Sequence, residues 1–224
     1  MALENIFFQV IIIIFSVMVH EISHGYMAER LGDPTARMAG RLTLNPLKHL
    51  DPFGSVILPF FLALYAPFIF GWAKPVPYNP YNLKDPQRGG ALIAAAGPLS
   101  NLIIALFFGV LIRLGEAGTL PIDSNLLNLF DYIVLLNIVL GVFNLVPIPP
   151  LDGSKVITFF FSHRIRISWE AFWARIGRIV AENLFIALII LFLFLFFVLD
   201  IIFAVIGPII ILLFELFVGH GPSF

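Results

Sequence analysis

Long apolar runs separated by short polar loops dominate the chain. Runs at about residues 5–29, 91–113 and 126–146 each approach or exceed the roughly 20 apolar residues that carry a helix across about 30 Å of hydrocarbon. The run at 184–218 is too long for one span, and Asp200 and a Gly-Pro pair offer places to turn, so we count two segments there. The pattern predicts an all-α polytopic membrane protein with about five to six membrane segments.

The apolar stretch at residues 53–72 differs from an ordinary span. Pro59, Pro67 and Gly71 interrupt it, and each disturbs the backbone hydrogen bonding that lipid demands. We therefore expect this stretch to be re-entrant or a broken hairpin, which enters and leaves the membrane on one side.

A further segment, beginning at Ser168 as a helix N-cap, has the pattern of an amphipathic helix. Arg175 and Arg178 lie on one face, and the opposite face is apolar. A helix of this kind lies in the plane of the membrane interface. Its apolar positions are Trp169, Phe172, Trp173, Ile176 and Ile179.

Composition indicates that the bilayer is the solvent of this chain. Of its 224 residues, 60% are hydrophobic and 12% are charged, and the mean hydropathy is +0.99, which no soluble globular domain needs to build its core. The net charge of −1 gives no sign of nucleic-acid binding. The absence of cysteine excludes thiolate metal sites, so any metal must be bound by His, Asp or Glu.

His20, Glu21 and His24 form the pattern His-Glu-x-x-His inside the first apolar helix. On a helix this spacing places two imidazoles one turn apart on one face, able to bind one zinc ion, with the glutamate beside the metal as general base. The alternative is that the three residues reach the interface or form a polar packing patch. Burying all three costs several kcal/mol unless a partner compensates, and a metal is the simplest such partner.

A catalytic zinc site needs a third protein ligand and an open position for water. Asp152 is the best candidate, because three prolines (Pro147, Pro149 and Pro150) break the helix before it and can turn its carboxylate inward at membrane depth. Taken alone, the sequence Pro-Pro-Leu-Asp-Gly is more typical of a surface turn.

Sharing one zinc ion also constrains the topology. The His-Glu-x-x-His motif and Asp152 both lie near the C-terminal ends of their helices, so these ends must be on the same side of the membrane. This requires that residues 53–72 do not cross completely, and it places 12 of the 13 lysines and arginines on one face. The positive-inside rule identifies that face as cytoplasmic. We therefore expect an external N-terminus and a zinc site nearer the cytoplasmic face of the cell membrane.

Three motifs together resemble the site-2 protease family of intramembrane zinc proteases, in its compact prokaryotic form without a PDZ or CBS domain. They are the His-Glu-x-x-His pattern, Gly97-Pro98-x-x-Asn101 in the third apolar helix, and the stretch 144–153, within about the first 155 residues. The resemblance implies that Asp152 is the third zinc ligand. It also implies that Asn144 helps to position the substrate or its polarised carbonyl, whereas Asn101 serves either substrate or helix packing.

We treat residues 1–224 as one domain, with a catalytic core at 1–155 and an interfacial helix and C-terminal membrane segments at 156–224. The implied enzyme is a zinc metalloendopeptidase with one Zn2+ per chain and Glu21 as its catalytic residue. It would hydrolyse peptide bonds within or near the membrane spans of a transmembrane protein substrate in the lipid bilayer. No nucleic-acid partner is expected, and the sequence leaves the substrate and the oligomeric state open.

Two rival functions remain at this stage. Ionisable residues within spans are also typical of ion pathways, which would fit an ion or solute transporter. A scaffold without activity is the other rival, although it would more naturally have lost Glu21 or a ligand. His49 and Asp51, in the loop after the first helix, are either supporting groups of the site or ordinary interface residues.

Overall fold

The computed structural model describes residues 3–51, 74–193 and 198–222 together with Ile57, and these residues form helices and no strands. Short 3₁₀ turns lie at Pro46–Lys48, Pro80–Asn82 and Ile157–Phe160. The α-helices are α1 (Leu3–Arg30), α2 (Thr35–Met38), α3 (Pro86–Glu116), α4 (Ser124–Asn144), α5 (Gly153–Val156), α6 (His163–Glu182), α7 (Leu184–Leu193) and α8 (Leu199–Val218).

Four of these helices are long and apolar enough to cross a membrane, namely α1 from Phe8 onward, α3, α4 and α8. Their outward faces carry exposed apolar side chains such as Ile103, Val205 and Leu216, which are 67%, 66% and 63% exposed. A water-soluble protein would cover so much apolar surface, whereas lipid solvates it. The predicted all-α polytopic membrane fold is confirmed, with four helices long enough to span in the part of the chain that the structure describes.

Helix α3 lies at the centre of the bundle, between α1 and α4, and α8 packs against both α3 and α4. Gly109 of α3 permits a close approach of α8, because a Cβ at this position would lie 2.9 Å from the carbonyl oxygen of Phe217. The main apolar core therefore lies between α3, α4 and α8. Its buried residues are Ala105, Ile112, Val134, Ile138, Val142, Ile202, Ile206, Ile210, Phe214 and Val218.

The prediction of a re-entrant or broken segment at residues 53–72 lies outside the described residues. The chain on either side is described, and the backbone N–H of Lys74 donates to the carbonyl of His49 at 2.8 Å. Residues 49 and 74, on either side of the undescribed segment, therefore lie next to each other. The side chain of His24, near the end of α1, bonds to the carbonyl of Ile93, near the start of α3. These two helix ends consequently share a face of the bundle, as the topological argument requires.

Helix α6 begins earlier than the sequence suggested, and the assignment of Ser168 as its N-cap is wrong. The preceding residue is Ser162, which has an extended backbone and accepts the N–H of Arg166 on its carbonyl. The helix extends back because its apolar face continues through Ile165 and Phe161 stacks edge-on against Trp169. No residue of α6 is buried, which agrees with a helix lying on the bundle surface.

Buried Asp33 connects the turn after α1 to residues 79–82. Its Oδ2 accepts the backbone N–H of Asn79 at 2.6 Å, and its Oδ1 accepts Nδ2 of Asn82 at 2.7 Å and the hydroxyl of Thr35 at 2.5 Å. Burial alone would raise the pKa of Asp33, but these hydrogen bonds to the charged form outweigh burial and hold its pKa below the ordinary value. The ionised carboxylate therefore stabilises the folded state.

We expect Asp33→Asn to lower Tm at neutral pH, since an amide nitrogen would face another donor, at a cost of about 1 to 3 kcal/mol. The pKa of Asp33 is lower in the folded than in the unfolded state. Its contribution to the stability of the folded state is therefore fully present above the unfolded-state pKa of about 3.9, and it is lost as the pH falls through the folded-state pKa. The Tm difference from wild type should shrink in acid. Exposed Asp85, which caps α3, is the control, because Asn caps as well as Asp. A similar gap for Asp85→Asn would contradict the assignment.

Candidate metal centre

The structure brings His20 and His24 of α1 against Asp152, which precedes α5. Nε2 of His20 lies 3.1 Å and Nε2 of His24 lies 3.3 Å from Oδ2 of Asp152, and one ligand atom from each residue lies within 4.8 Å of the others. Around a tetrahedral zinc ion, bonds of about 2.0 to 2.1 Å place ligand atoms about 3.3 Å apart. The group therefore has the donor atoms and the spacing of a zinc site.

Space for an ion exists between the imidazoles because α3 presents a glycine to them. A Cβ built on Gly97 would lie 2.5 Å from Nε2 of His24 and 2.6 Å from Nε2 of His20. A larger residue would fill the position that both Nε2 atoms reach. Gly97 thus bounds the space between the two imidazoles, here called the metal cradle, on the side opposite α1.

Asp152 reaches the histidines because the chain folds back after α4 ends at Asn144. A Cβ on Gly153 would lie 2.1 Å from the carbonyl oxygen of Leu145, so only glycine permits the turn to pack against the end of α4. The Asp152 side chain is 17% exposed, unlike the side chain of an ordinary surface turn. The helix break therefore directs the carboxylate inward.

Hydrogen bonds at Nδ1 determine which nitrogen of each histidine can bind a metal. Nδ1 of His24 lies 2.6 Å from the carbonyl oxygen of Ile93, which can only accept, so Nδ1 carries the proton. In a neutral ring the lone pair is then on Nε2, which faces Asp152 and His20. Metal-binding histidines generally donate their second N–H in this way, which fixes the ring and its tautomer.

The tautomer of His20 follows from a chain of buried amides. Nδ2 of Asn137 donates to the carbonyl of Ile133 at 2.9 Å and to Oγ of Ser16 at 3.0 Å, so Oδ1 of Asn137 faces Asn101. Asn101 donates its Nδ2 to that oxygen at 2.8 Å and accepts Nδ1–H of His20 on its own Oδ1 at 2.6 Å. In a neutral His20 the lone pair is therefore also on Nε2, which lies beside Asp152 and can bind a metal. Asn101 and Asn137 are completely buried.

Glu21, the next residue of α1, carries its carboxylate on an adjacent face. Its Oε2 accepts the backbone N–H of Val76 at 2.9 Å. Val76 belongs to a stretch without regular secondary structure that follows the undescribed residues. The glutamate is therefore held beside the histidines by a backbone donor from a different part of the chain.

Asn144 stands outside this group of bonded side chains, since its Nδ2 donates to the carbonyl of Leu140 within its own helix at 2.9 Å. His49 is buried and donates to the carbonyl of Thr43, which is a local loop contact. Sequence reasoning missed Ser16 as a participant in the network. Its position one turn before His20, on the same face of α1, was the available signal.

Comparisons with known proteins agree with this geometry. Residues 116–190, which include the turn bearing Asp152, match the model of peptidase family M50. The chain is 44% identical over 152 residues to YwhC of Bacillus subtilis, which is 66% of each chain. It is 31% identical over 140 residues to Rip2 of Mycolicibacterium smegmatis, covering 62% of this chain and 52% of the relative. Both printed names include the words zinc metalloprotease. No solved structure matched significantly.

The apolar helices, the donor group and these relatives are those of a family of membrane zinc metalloproteases. The chain belongs to peptidase family M50, the site-2 protease family. The family expected from the sequence motifs is thus confirmed. The chain spans about half to two thirds of the length of the relatives named here.

We expect Gly97→Ala to abolish zinc binding, because the added methyl group would occupy the space between the two Nε2 atoms. Zinc per chain, measured by mass spectrometry on detergent-purified protein, should fall from near one to near zero. Gly90→Ala in the same helix is the matched control, since its Cβ would meet only the Tyr78 hydroxyl at 3.8 Å. Equal zinc contents in the two variants would show that zinc does not bind in the metal cradle beside Gly97.

We expect Asn101→Leu to weaken zinc binding by about 10- to 100-fold, the usual cost of removing the group that orients a metal-binding histidine. Leucine has a similar size but cannot accept Nδ1–H of His20. Competition with a chelator gives the affinity. Asn144→Leu should leave the affinity unchanged, because Asn144 bonds only to its own helix among the contacts described, and an equal loss in both variants would argue for a general packing defect.

Proposed function

We propose that this chain is an intramembrane zinc metalloprotease that hydrolyses peptide bonds within or near the transmembrane segments of other membrane proteins, as in regulated intramembrane proteolysis. The observation that carries the proposal is the convergence of Nε2 of His20, Nε2 of His24 and Oδ2 of Asp152 at one point in a bundle of apolar helices. Residues 1–155 form the catalytic core in this proposal.

In the proposed site His20, His24 and Asp152 hold one zinc ion and leave a position for water. When bound, zinc would polarise the scissile carbonyl and lower the pKa of a water molecule toward 7. Asn101 acts on His20, whose ring it orients, and its complete burial argues against direct contact with a substrate. The role of Asn144 in positioning substrate rests on the family resemblance.

Glu21 is the proposed general base. It lies next to His20 on α1, and the Val76 amide holds one of its oxygens, so the other oxygen can take a proton from the attacking water. The same carboxyl group then passes the proton to the leaving amine, which completes hydrolysis of the peptide bond. Because an intact helix hides its carbonyls in its own hydrogen bonds, a substrate helix must unwind locally before attack.

The transporter alternative has less support. It explains ionisable residues in spans, but it gives no reason for both imidazoles to donate Nδ1–H to fixed acceptors and direct Nε2 toward the same carboxylate. Metal binding accounts for this arrangement directly.

The proposed location is the cell membrane, with the metal centre nearer the cytoplasmic face. In the predicted topology, the segments on the side of the metal centre carry 12 of the 13 lysines and arginines. The remaining one, Arg113, lies at the opposite end of α3, where it donates to the carbonyls of Phe217 and Leu216 at the end of α8. This asymmetry is the one that orients membrane proteins.

Glu21→Gln should keep its zinc but cleave membrane proteins about 100- to 10,000-fold more slowly, the usual contribution of a general base. New N-termini would be mapped by mass spectrometry in membranes of a host that lacks the native gene and carries either wild type or the variant. Cleavage sites inside or beside apolar spans, dependent on Glu21, are expected. Glu21-dependent sites confined to water-soluble domains would contradict an intramembrane protease.

Single cysteines can test the orientation, because the natural chain has none. Tyr81 is 94% exposed on the side of the metal centre, and Thr119 is exposed in the loop between α3 and α4. A membrane-impermeant maleimide should label Thr119→Cys on intact cells and Tyr81→Cys only after permeabilisation. The reverse pattern would place the metal centre near the external face.

A further inference from the structure

Residues 74–79 form neither helix nor strand, and they lie beside α1 near the metal centre, since Val76 bonds to Glu21. Prolines at positions 75 and 77 have no N–H group, so Val76 supplies the one backbone donor of residues 75–77. That donor is bonded to Oε2 of Glu21. The position of this short stretch therefore determines where the Glu21 carboxylate is held.

Arg41 fixes the beginning of the stretch. The residue is 6% exposed, Nη1 donates to the carbonyl of Lys48, and Nη2 donates to the carbonyls of Lys74 and Pro75. Burying a guanidinium is costly unless hydrogen bonds compensate. Here Nη1 and Nη2 donate to three backbone carbonyls while Nε is buried without a partner, and the group connects the loop after α2 to the residues just before Val76.

Asp33 fixes the other end of the same stretch. It is fully buried, and its two carboxylate oxygens accept the backbone N–H of Asn79 and Nδ2 of Asn82. Residues 74–79 are thus anchored by a buried cation before Val76 and by a buried anion after it. The intervening backbone has little freedom to move away from Glu21.

We propose that Arg41, together with Asp33, is a positioning residue for Glu21: it clamps residues 74–79 so that the Val76 amide orients the carboxylate beside the two histidines. The proposal rests on the proposed function in so far as Glu21 is the general base. A free glutamate side chain samples many rotamers, and misplacement of a reacting group by about 1 Å costs on the order of a hundredfold in rate. The clamp therefore accounts for two buried charges that are not themselves metal ligands.

One backbone amide reports on the clamp without any assay of proteolysis. Pro75-Val76 is the only Pro-Val pair in the chain, so labelling prolines with ¹³C at the carbonyl and valines with ¹⁵N gives a single filtered amide signal. In wild type this proton should resonate downfield and exchange slowly with solvent. Glu21→Gln should move it upfield, and Arg41→Lys, which cannot bridge three carbonyls in one plane, should move it upfield and accelerate its exchange.

Two outcomes would overturn the proposal. If the Val76 signal does not respond to Glu21→Gln, the hydrogen bond between Val76 and Glu21 is absent. If it responds to Glu21→Gln but not to Arg41→Lys, Arg41 does not hold the Val76 amide in place. Should Arg41→Lys fail to fold, Asp33→Asn tests the other anchor in the same way. Both readouts are independent of substrate, so they separate failure of this proposal from failure of the proposed protease activity.

A pair of substitutions at Val76 tests the consequence for rate. Val76→Pro removes the N–H and Val76→Ala keeps it, while both alter the same buried side chain. With the first single-span protein found to be cleaved in a Glu21-dependent manner as probe, Val76→Pro should lower kcat by on the order of a hundredfold, with zinc content and KM retained. Val76→Ala should lower kcat much less. Equal losses in the two variants would assign Val76 a packing role and overturn the proposal.

Discussion

Polar atoms inside an apolar helix bundle must have partners, and this requirement organises the centre of the molecule. Burying the two imidazoles of α1 and the carboxylate that follows α4 would cost several kcal/mol each without compensating partners. Nδ1 of His20 bonds to Asn101 and Nδ1 of His24 to the Ile93 carbonyl, while both Nε2 atoms face Oδ2 of Asp152, where a bound zinc ion would compensate all three groups. The pairing leaves one shared point toward which three ligand atoms are directed.

The backbone is as specialised as the side chains. Gly97 leaves the space between the imidazoles, and Gly153 allows the chain to fold back against the end of α4. Both requirements are steric, since any Cβ would overlap the atoms that form the site. Broken backbone at membrane depth is tolerated where it lines a cavity, and here the break serves to bring Asp152 to the histidines.

Much of this arrangement could be predicted from sequence because its signals are local. Apolar run length gives the spans, helical spacing places His20 and His24 on one face, and the proline-rich stretch indicates where Asp152 could turn inward. Partners across helices could not be predicted, because they depend on how each helix is rotated about its axis. The bond from Asn101 to His20 is such a contact, and sequence alone left its role open between substrate and packing.

The clamp on Glu21 was invisible in sequence for a related reason. Arg41 and Asp33 lie in loops where charged residues are usually solvated, and their burial depends on contacts with residues that follow them by more than 30 positions. The start of α6 was predicted at the wrong residue because Ser162 and Ser168 both precede amphipathic sequence, and a serine at either position could be the N-cap. Only the backbone conformation of Ser162 distinguishes them.

The most direct test of the account is the zinc content of four purified proteins, measured by mass spectrometry: wild type, Glu21→Gln, His24→Ala and Asp152→Ala. The geometry predicts near one zinc per chain in the first two and none in the last two, because Glu21 does not contribute a ligand whereas His24 and Asp152 do. Folded wild type without zinc, or full retention of zinc by Asp152→Ala, would contradict the three-ligand centre on which the proposed mechanism depends.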